Sequence, residues 1–381
     1  MRRAGSTGWR FWAVVAAVAV LVGGFASGWP TRVEGYDAPL VVWQAGWGNG
    51  PGQVGWAEGK DGKRYGPRAL AVGPQGKMAV LDACNRRLQV VSGPSGSTGP
   101  ASSRGSAGSL ARVLSLDADT YDDVVWVSDG SLRLSDSGRG RVVWLNPEGQ
   151  VRAEKVTRPE EVQVYLIEGL VARVDVLYLQ EVGWSGTGFF RRVSFLRGEG
   201  REGGTLASLE VRTSGTRGGE GVVSEAARGL ALAPDGCLYL DLQTEDAFSR
   251  RIRILTPALR PWKDVVLEAT GYLGQGWLVG VDSQGCLYYV LAGQEGELGL
   301  HKFNLEGREL AVLPLPASEF ARLSKWVRVD PHGNIYYMRA SQEGLVVEVH
   351  KLTRTWKWRW RGERREDTGG GKAARVRSQL Q

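Results

Sequence analysis

A six-bladed, all-β propeller is the fold this sequence predicts, and three observations carry the prediction. Turn glycines recur at intervals close to 50 residues. Glycine is in excess, at 54 of 381 residues, and the segments between turns are short, apolar and aromatic, with 15 Trp and 11 Tyr in the chain. Glycine costs roughly 1 kcal/mol against alanine inside a helix, whereas aromatic strands joined by tight turns use both residue kinds. A β-meander repeated at that interval is the pattern of propeller blades, each of which buries its faces only against its neighbours.

Taken from the N-terminus, the first element is hydrophobic. Arg2, Arg3 and Arg10 precede a run without charge, Phe11 to Ala26. A basic stretch followed by an apolar one is the pattern of export. Residues 1–28 are expected to form a signal peptide or a signal-anchor transmembrane helix. The arginines before it predict a cytoplasmic N-terminus with the remainder of the chain outside. The localisation expected is therefore the cell membrane, single-pass with the propeller outside, or secretion. Membrane contact runs through residues 11–26 if they are not cleaved.

The propeller is expected over residues 36–360. Its clearest unit runs from Tyr65 to Val91 and reads as strand Ala69–Val72, turn Gly73–Gly76, strand Met78–Leu81, a second turn, and strand Leu88–Val91. The marker glycine of that first turn, Gly76, returns as Gly130, Gly236, Gly285 and Gly333, at spacings of 54, 106, 49 and 48 residues. The doubled interval implies one more unit with an eroded turn, with candidate strands Gln163–Ile167, Val174–Leu179 and Arg192–Leu196. That makes six. An open row of blades leaves two unpaired edges, so the apolar stretch Leu40–Trp43 is expected to complete the last blade and close the ring. Residues 92–109 and 198–221 read as Gly-rich loops, and residues 361–381 as a disordered basic tail.

The first unit resembles the NHL repeat. Gly66-Pro67-Arg68, Pro74-Gln75-Gly76, Val80-Leu81-Asp82, Asn85 and Arg87-Leu88-Gln89-Val90 fall where that pattern has its turn, strand and Asn-x-Arg elements. The resemblance is good for the first unit, fair over 226–256 and 325–352, and poor over 150–215. It implies a propeller that binds proteins, nucleic acids or ligands through its loops, and it transfers no activity.

Several residues are candidates for chemistry. Asp82 and Asp136 each stand six residues past their marker glycine, and Arg87 and Arg141 stand five further on. An Asp-x4-Arg pair across a tight turn suits a hydrogen-bonded ion pair within a blade. A ring of carboxylates does not follow, because the same register gives Leu242, Leu291 and Arg339. Asp246 and Arg251 repeat the spacing within a longer loop. The acidic groups Asp117, Asp119, Asp122, Asp123 and Glu160, Glu161 read as loop solvation, with calcium binding as the alternative, since oxygen ligands suit Ca²⁺. Trp356, Trp358 and Trp360 alternate with basic residues and read as a packed last strand or as a contact patch for headgroups or anionic wall polymer.

Other classes are excluded. The net charge of +7 is concentrated at the two ends, which leaves no basic stripe for nucleic acid. Gly50 to Gly55 satisfies G-x-G-x-x-G but lacks the strand and helix a dinucleotide needs. Three cysteines make no disulfide framework, and Cys237 and Cys286, at matching repeat positions, read as small buried residues. His301, His332 and His350 have no ligand spacing. The function expected is a non-catalytic propeller that binds a protein or cell-envelope ligand through its loops, with no cofactor. The alternative is a calcium-dependent hydrolase or lyase with its site in the central funnel.

Overall fold

The computed structural model describes residues 29–359, except 61, 94–107, 161, 186–187, 199–201, 213–226, 243–248, 269–271, 294–296 and 317–323. The helix expected over residues 1–28 and the tail 361–381 lie outside them. Among the described residues no helix is long and apolar enough to cross a membrane.

The described chain is all-β, in six antiparallel four-stranded sheets. Given from inner to outer strand, blade one is Ala69–Val72, Met78–Asp82, Arg87–Val91 and Leu110–Ser115. Blade two is Tyr121–Trp126, Leu132–Asp136, Arg141–Leu145 and Val151–Val156. Blade three is Val162–Ala172, Val176–Ser185, Gly188–Arg197 and Glu202–Arg212. Blade four is Ala227–Leu232, Leu238–Leu242, Ser249–Leu255 and Pro261–Glu268. Blade five is Tyr272–Val281, Leu287–Ala292, Leu298–Phe303 and Glu309–Leu315. Blade six takes Val327–Val329, Ile335–Ala340 and Gly344–His350, with Leu40–Gly46 as its outer strand.

That last pairing closes the ring. Leu40–Gly46 runs antiparallel to Gly344–His350, as expected for the stretch Leu40–Trp43. The inner strands touch in sequence around the axis, and that of blade six meets those of blades five and one. Six apolar clusters fill the six blade interfaces. One packs Ala69 and Leu81 of blade one against Val124 and Leu134 of blade two. Another packs Met78 of blade one against Val347 of blade six, with Val42 between them. Each buried Leu, Ile or Val contributes about 1.5–3 kcal/mol, so every blade depends on both neighbours.

Blade three explains the eroded marker. The five marker glycines, Gly76, Gly130, Gly236, Gly285 and Gly333, have φ of 72, 83, 87, 77 and 84°. In blade two the turn runs over Val127–Ser131, closed by the Val127 amide donating to the Ser131 carbonyl at 2.9 Å. Blade three closes one residue earlier, with the Arg173 amide on the Val176 carbonyl at 2.7 Å. No residue between them has positive φ, so no glycine is required. The blade also corrects the loop expected over 198–221, because Glu202–Arg212 pairs with Gly188–Arg197 as a fourth strand.

Gly35–Thr353 form one compact unit, and the chain ends form a second. In that unit Trp29–Tyr36 pairs with Leu352–Arg359, and Arg354 donates to Glu34 at 3.1 Å. Trp356 and Trp358 fall on the second of these strands. Their side chains, and Trp360, lie outside the described residues.

Candidate functional site

The inner strands decide what reaches the axis. In blades two, three and four the pairing of first and second strand skips a residue at matching places, Asp122, Glu168 and Arg228, and blade three skips Gln163 as well. A bulge of this kind re-aims a side chain out of the alternating pattern. Matched through the pairing of the second strand, the same position falls on Arg68 in blade one and Lys325 in blade six, each just ahead of its inner strand. In blade five it falls on Gly276. Five blades therefore present a charged residue at one level of the channel.

These charges meet across blades. Arg68 lies 3.3 Å from Asp122. The Lys325 ammonium donates to the Asp122 backbone carbonyl at 3.2 Å and contacts the Ile167 carbonyl at 3.5 Å. Blades six and three are opposite members of the ring, so this lysine spans the axis. It also lies 3.6 Å from Asp123, which accepts from Arg328 at 2.9 Å. On the far side, Arg191 donates to both oxygens of Glu168 at 3.1 and 3.0 Å. The Gln180 amide bridges Glu168, at 2.7 Å, and the Arg228 carbonyl, at 2.9 Å.

Behind the Arg228 bulge lies Asp241, fully buried. It accepts from the Tyr289 hydroxyl at 2.7 Å. Burial raises its carboxyl to about 6, against the opposing pull of the Tyr289 bond and of Arg250. Asp122 and Asp123 correct the expectation of loop solvation. They belong to a strand: the bulge sets Asp122 out of register, and Asp123, paired with Ser135, meets Lys325 and Arg328.

The predicted pairs sit elsewhere, on the second and third strands. Asp82 and Arg87 are register partners 2.9 Å apart, and Asp136 and Arg141 are partners at 3.0 Å. Arg87 also donates to the Asn49 and Gln53 carbonyls at 2.7 and 2.8 Å, while Asp82 accepts from the Gly55 amide at 3.0 Å. The glycine-rich approach strap is thereby tied down, and that is the place of the G-x-G-x-x-G string. Arg141 reaches Asp117 at 2.7 Å and Glu154 at 2.6 Å. Working against burial, its bond holds the Asp117 carboxyl at about 2.

A third pair was missed. Glu181 and Arg192 are register partners in blade three, 2.9 Å apart. The long second hairpin of that blade separates them by eleven residues in sequence, so no Asp-x4-Arg spacing marks them. Asp246 lies outside the described residues, as does Glu161. Arg251 is 3.9 Å from Asp264. Among the other candidates, His301 meets Glu309 at 2.7 Å, His332 sits in an exposed turn and His350 is buried. Cys237 and Cys286 are buried free thiols, and Cys84 is an exposed one.

Calcium does not fit this donor set. It takes about six to eight oxygens, and each axial carboxylate is already held by a guanidinium or ammonium. Among the described residues no three His, Cys, Asp or Glu side chains are grouped to hold a metal.

No family model matches the chain, and no curated protein matches it. Solved structures of similar fold include a gluconolactonase from Xanthomonas campestris, 14% identical, with 85% of this chain and 100% of that one covered and a TM-score of 0.48. A virginiamycin B lyase from Staphylococcus aureus is 9% identical, with 85% and 99% covered and a TM-score of 0.45. A calcium-binding protein, regucalcin, from Agrobacterium tumefaciens is 13% identical, with 87% and 98% covered and a TM-score of 0.43. Two of these are described as enzymes, and with that finding the expectation of a non-catalytic binding propeller is set aside. What replaces it is argued from the axial ring alone.

Proposed function

We propose that the chain is a propeller enzyme of the hydrolase or lyase kind, with its reaction centre at the charged axial ring and without calcium in it. The reading is carried by the convergence of Arg68, Asp122, Asp123, Lys325 and Arg328, from blades one, two and six, on one level of the channel. Stability alone does not call for such a ring. Buried ion pairs gain little over well-packed apolar residues, and blade five fills the same place with Gly276. Fixed charges of both signs are what proton transfer and the stabilisation of a developing oxyanion require. Asp122, whose side chain is 20% exposed, takes the proton from water or from a carbon acid. Lys325, Arg68 and Arg328 hold the negative charge that develops on the substrate oxygen.

The test is turnover by the full chain against a panel of lactones, aryl esters and elimination substrates, with and without a chelator. The expected result is turnover that the chelator leaves unchanged and that falls about 100-fold in Lys325→Met and Asp122→Asn. Turnover of none of these substrates, or equal turnover in both variants, overturns the reading.

Two further parts belong to the same proposal. The ring works outside the cell membrane, in keeping with the arginines ahead of residues 11–26; a protease added to intact cells should reach the propeller. NHL character is proposed for blade one, where Asn85 donates to the Gly48 carbonyl at 2.8 Å and Arg87 fixes the same strap.

A further inference from the structure

The turns that join third to fourth strand are built alike in blades two, four and five, over residues 146–150, 256–260 and 304–308. In each, the first residue donates its amide to the carbonyl of the fifth, and its own carbonyl accepts from the amide of the fourth. The fourth residue has positive φ, 84° at Gly149, 76° at Gly307 and 61° at Leu259. Glycine adopts this conformation freely, whereas a bulky side chain takes it at a cost. Leu259 is half-buried against the apolar cluster between blades three and four, which includes Val176 and Tyr178.

The strained leucine forms one wall of a cavity. About 360 Å³ in volume, it lies between the first turn of blade three and this turn of blade four, and its lining includes Arg173, Asp175, Val176, Arg197, Pro257 and Leu259. Small molecules bind in cavities of roughly 300–1,000 Å³, so this one suits a small ligand. Two arginines flank Val176. The Arg173 amide donates to the Val176 carbonyl at 2.7 Å, and Arg197 is the register partner of Val176. A Cβ at Gly236 would stand 3.0 Å from Arg173 Nη1, so the Arg173 guanidinium lies against the first turn of blade four. Among the described residues the only carboxylate in the lining is Asp175, 3.4 Å from Arg173 Nε and itself 65% exposed. Arg197 lies over the Phe195 ring at 5.5 Å, and no carboxylate among the described residues pairs with it. Two cations and one anion leave one positive charge over in the lining.

We propose that this cavity binds a small monoanionic carboxylate with an aromatic or short aliphatic body. The carboxylate lies between Arg173 and Arg197, whose forked N–H donors fit its two oxygens, and it balances the charge that Asp175 leaves over. A dianion would exceed that charge. The body rests on Leu259, Pro257 and Val176, which is the use of a leucine where the matching turns have glycine. The site is separate from the axial ring, since Arg173 follows the end of the inner strand of blade three, past Glu168. It stands whether or not the ring is a reaction centre.

Calorimetric titration of the full chain with benzoate tests the site, beside acetate, which lacks the body, and benzamide, which lacks the charge. Benzoate should saturate, with acetate and benzamide at least about tenfold weaker. Arg173→Gln and Arg197→Gln should each weaken benzoate about tenfold, whereas Arg152→Gln, on the outer strand of blade two, should leave it unchanged. Leu259→Gly should weaken it too while changing the melting temperature little, because the wall is lost and the turn gains its unstrained residue. If Arg173→Gln fails to fold, the exposed Arg197→Gln carries the test. No saturation by benzoate, equal affinity in the Arg197 variant and the parent, or tighter binding of inorganic phosphate overturns the proposal. A fall in melting temperature in Leu259→Gly with benzoate affinity intact would make the leucine plain packing and overturn the apolar wall. Loss of benzoate binding in Lys325→Met would move the anion to the axial ring and overturn the site as well.

Discussion

Carboxylates and arginines appear twice in this propeller, and the two sets behave differently. In the braces of blades one to three, Asp82–Arg87, Asp136–Arg141 and Glu181–Arg192, both partners sit on adjacent strands of one sheet. Each carboxylate there is almost fully buried. In the axial ring Arg68–Asp122, Lys325–Asp123 and Arg328–Asp123 join different blades, and Arg68, Asp122, Lys325 and Arg328 stay within reach of water, with only Asp123 as deep as a brace carboxylate. A brace is local and holds a hairpin and its neighbouring strap in place. The ring gains nothing comparable for a single blade, and Asp122, Glu168 and Arg228 leave the alternation of their strands to form it. Burial depth and strand locality thus separate charges that hold the scaffold from charges offered to a ligand.

The contrast is most sharply tested at Asp136. Asp136→Ala takes the buried counterion from Arg141, which keeps only Asp117 and Glu154, and leaves the Thr120 hydroxyl without its acceptor; it should cost about 2–3 kcal/mol in urea denaturation. The double change Asp136→Leu with Arg141→Leu should recover most of that loss, because apolar isosteres often replace a buried pair at little cost. A double variant as unstable as the single one would mean that the brace is more than scaffold.

Asp241 shares its depth with the braces but faces the arginines of the channel. Burial places its folded carboxyl at about 6 against 3.8, so between these values the folded state keeps a proton the unfolded chain has released. Stability should therefore fall as pH rises through this window, by roughly 3 kcal/mol from this group. Asp241→Asn should flatten that slope in thermal unfolding followed across the window. An unchanged slope would place the titration on another group.

The ring itself should show the reverse balance of effects. Lys325→Met is expected to lower turnover about 100-fold while changing stability by less than about 1 kcal/mol, since Asp123 keeps Arg328 as its partner. A large loss of stability with turnover intact would make Lys325 a structural tie across the axis. The smallest effect belongs to the half-exposed pair Arg68–Asp122. Arg68→Gln should change unfolding free energy by no more than about 1 kcal/mol, measured in urea at low and high salt.

Much of the scaffold was legible because its signals are local. Gly76, Gly130, Gly236, Gly285 and Gly333 mark turns that need positive φ, and the Asp-x4-Arg spacing follows from a short hairpin that sets register partners opposite one another. Both signals failed in blade three for physical reasons. Its first turn is one residue shorter and needs no glycine, and its second hairpin is long enough to pull Glu181 and Arg192 apart in sequence. The ring was not legible at all. Asp122 and Asp123 looked like a solvated acidic run, and nothing in the neighbourhood of Lys325 or Arg228 announces that a bulge or a strand start will carry it to the axis.

The sequence by itself therefore determined the period, the blade count and the closing stretch Leu40–Trp43, which the structure extends to Gly46, because alternation, turn chemistry and the need to cover edges act within tens of residues. Only the tertiary structure decided that Arg68, Asp122, Glu168, Arg228 and Lys325 share one level of the channel. These residues span most of the chain, and what unites them is a register slip in three inner strands, the start of two others and closure of the ring, which no local pattern encodes.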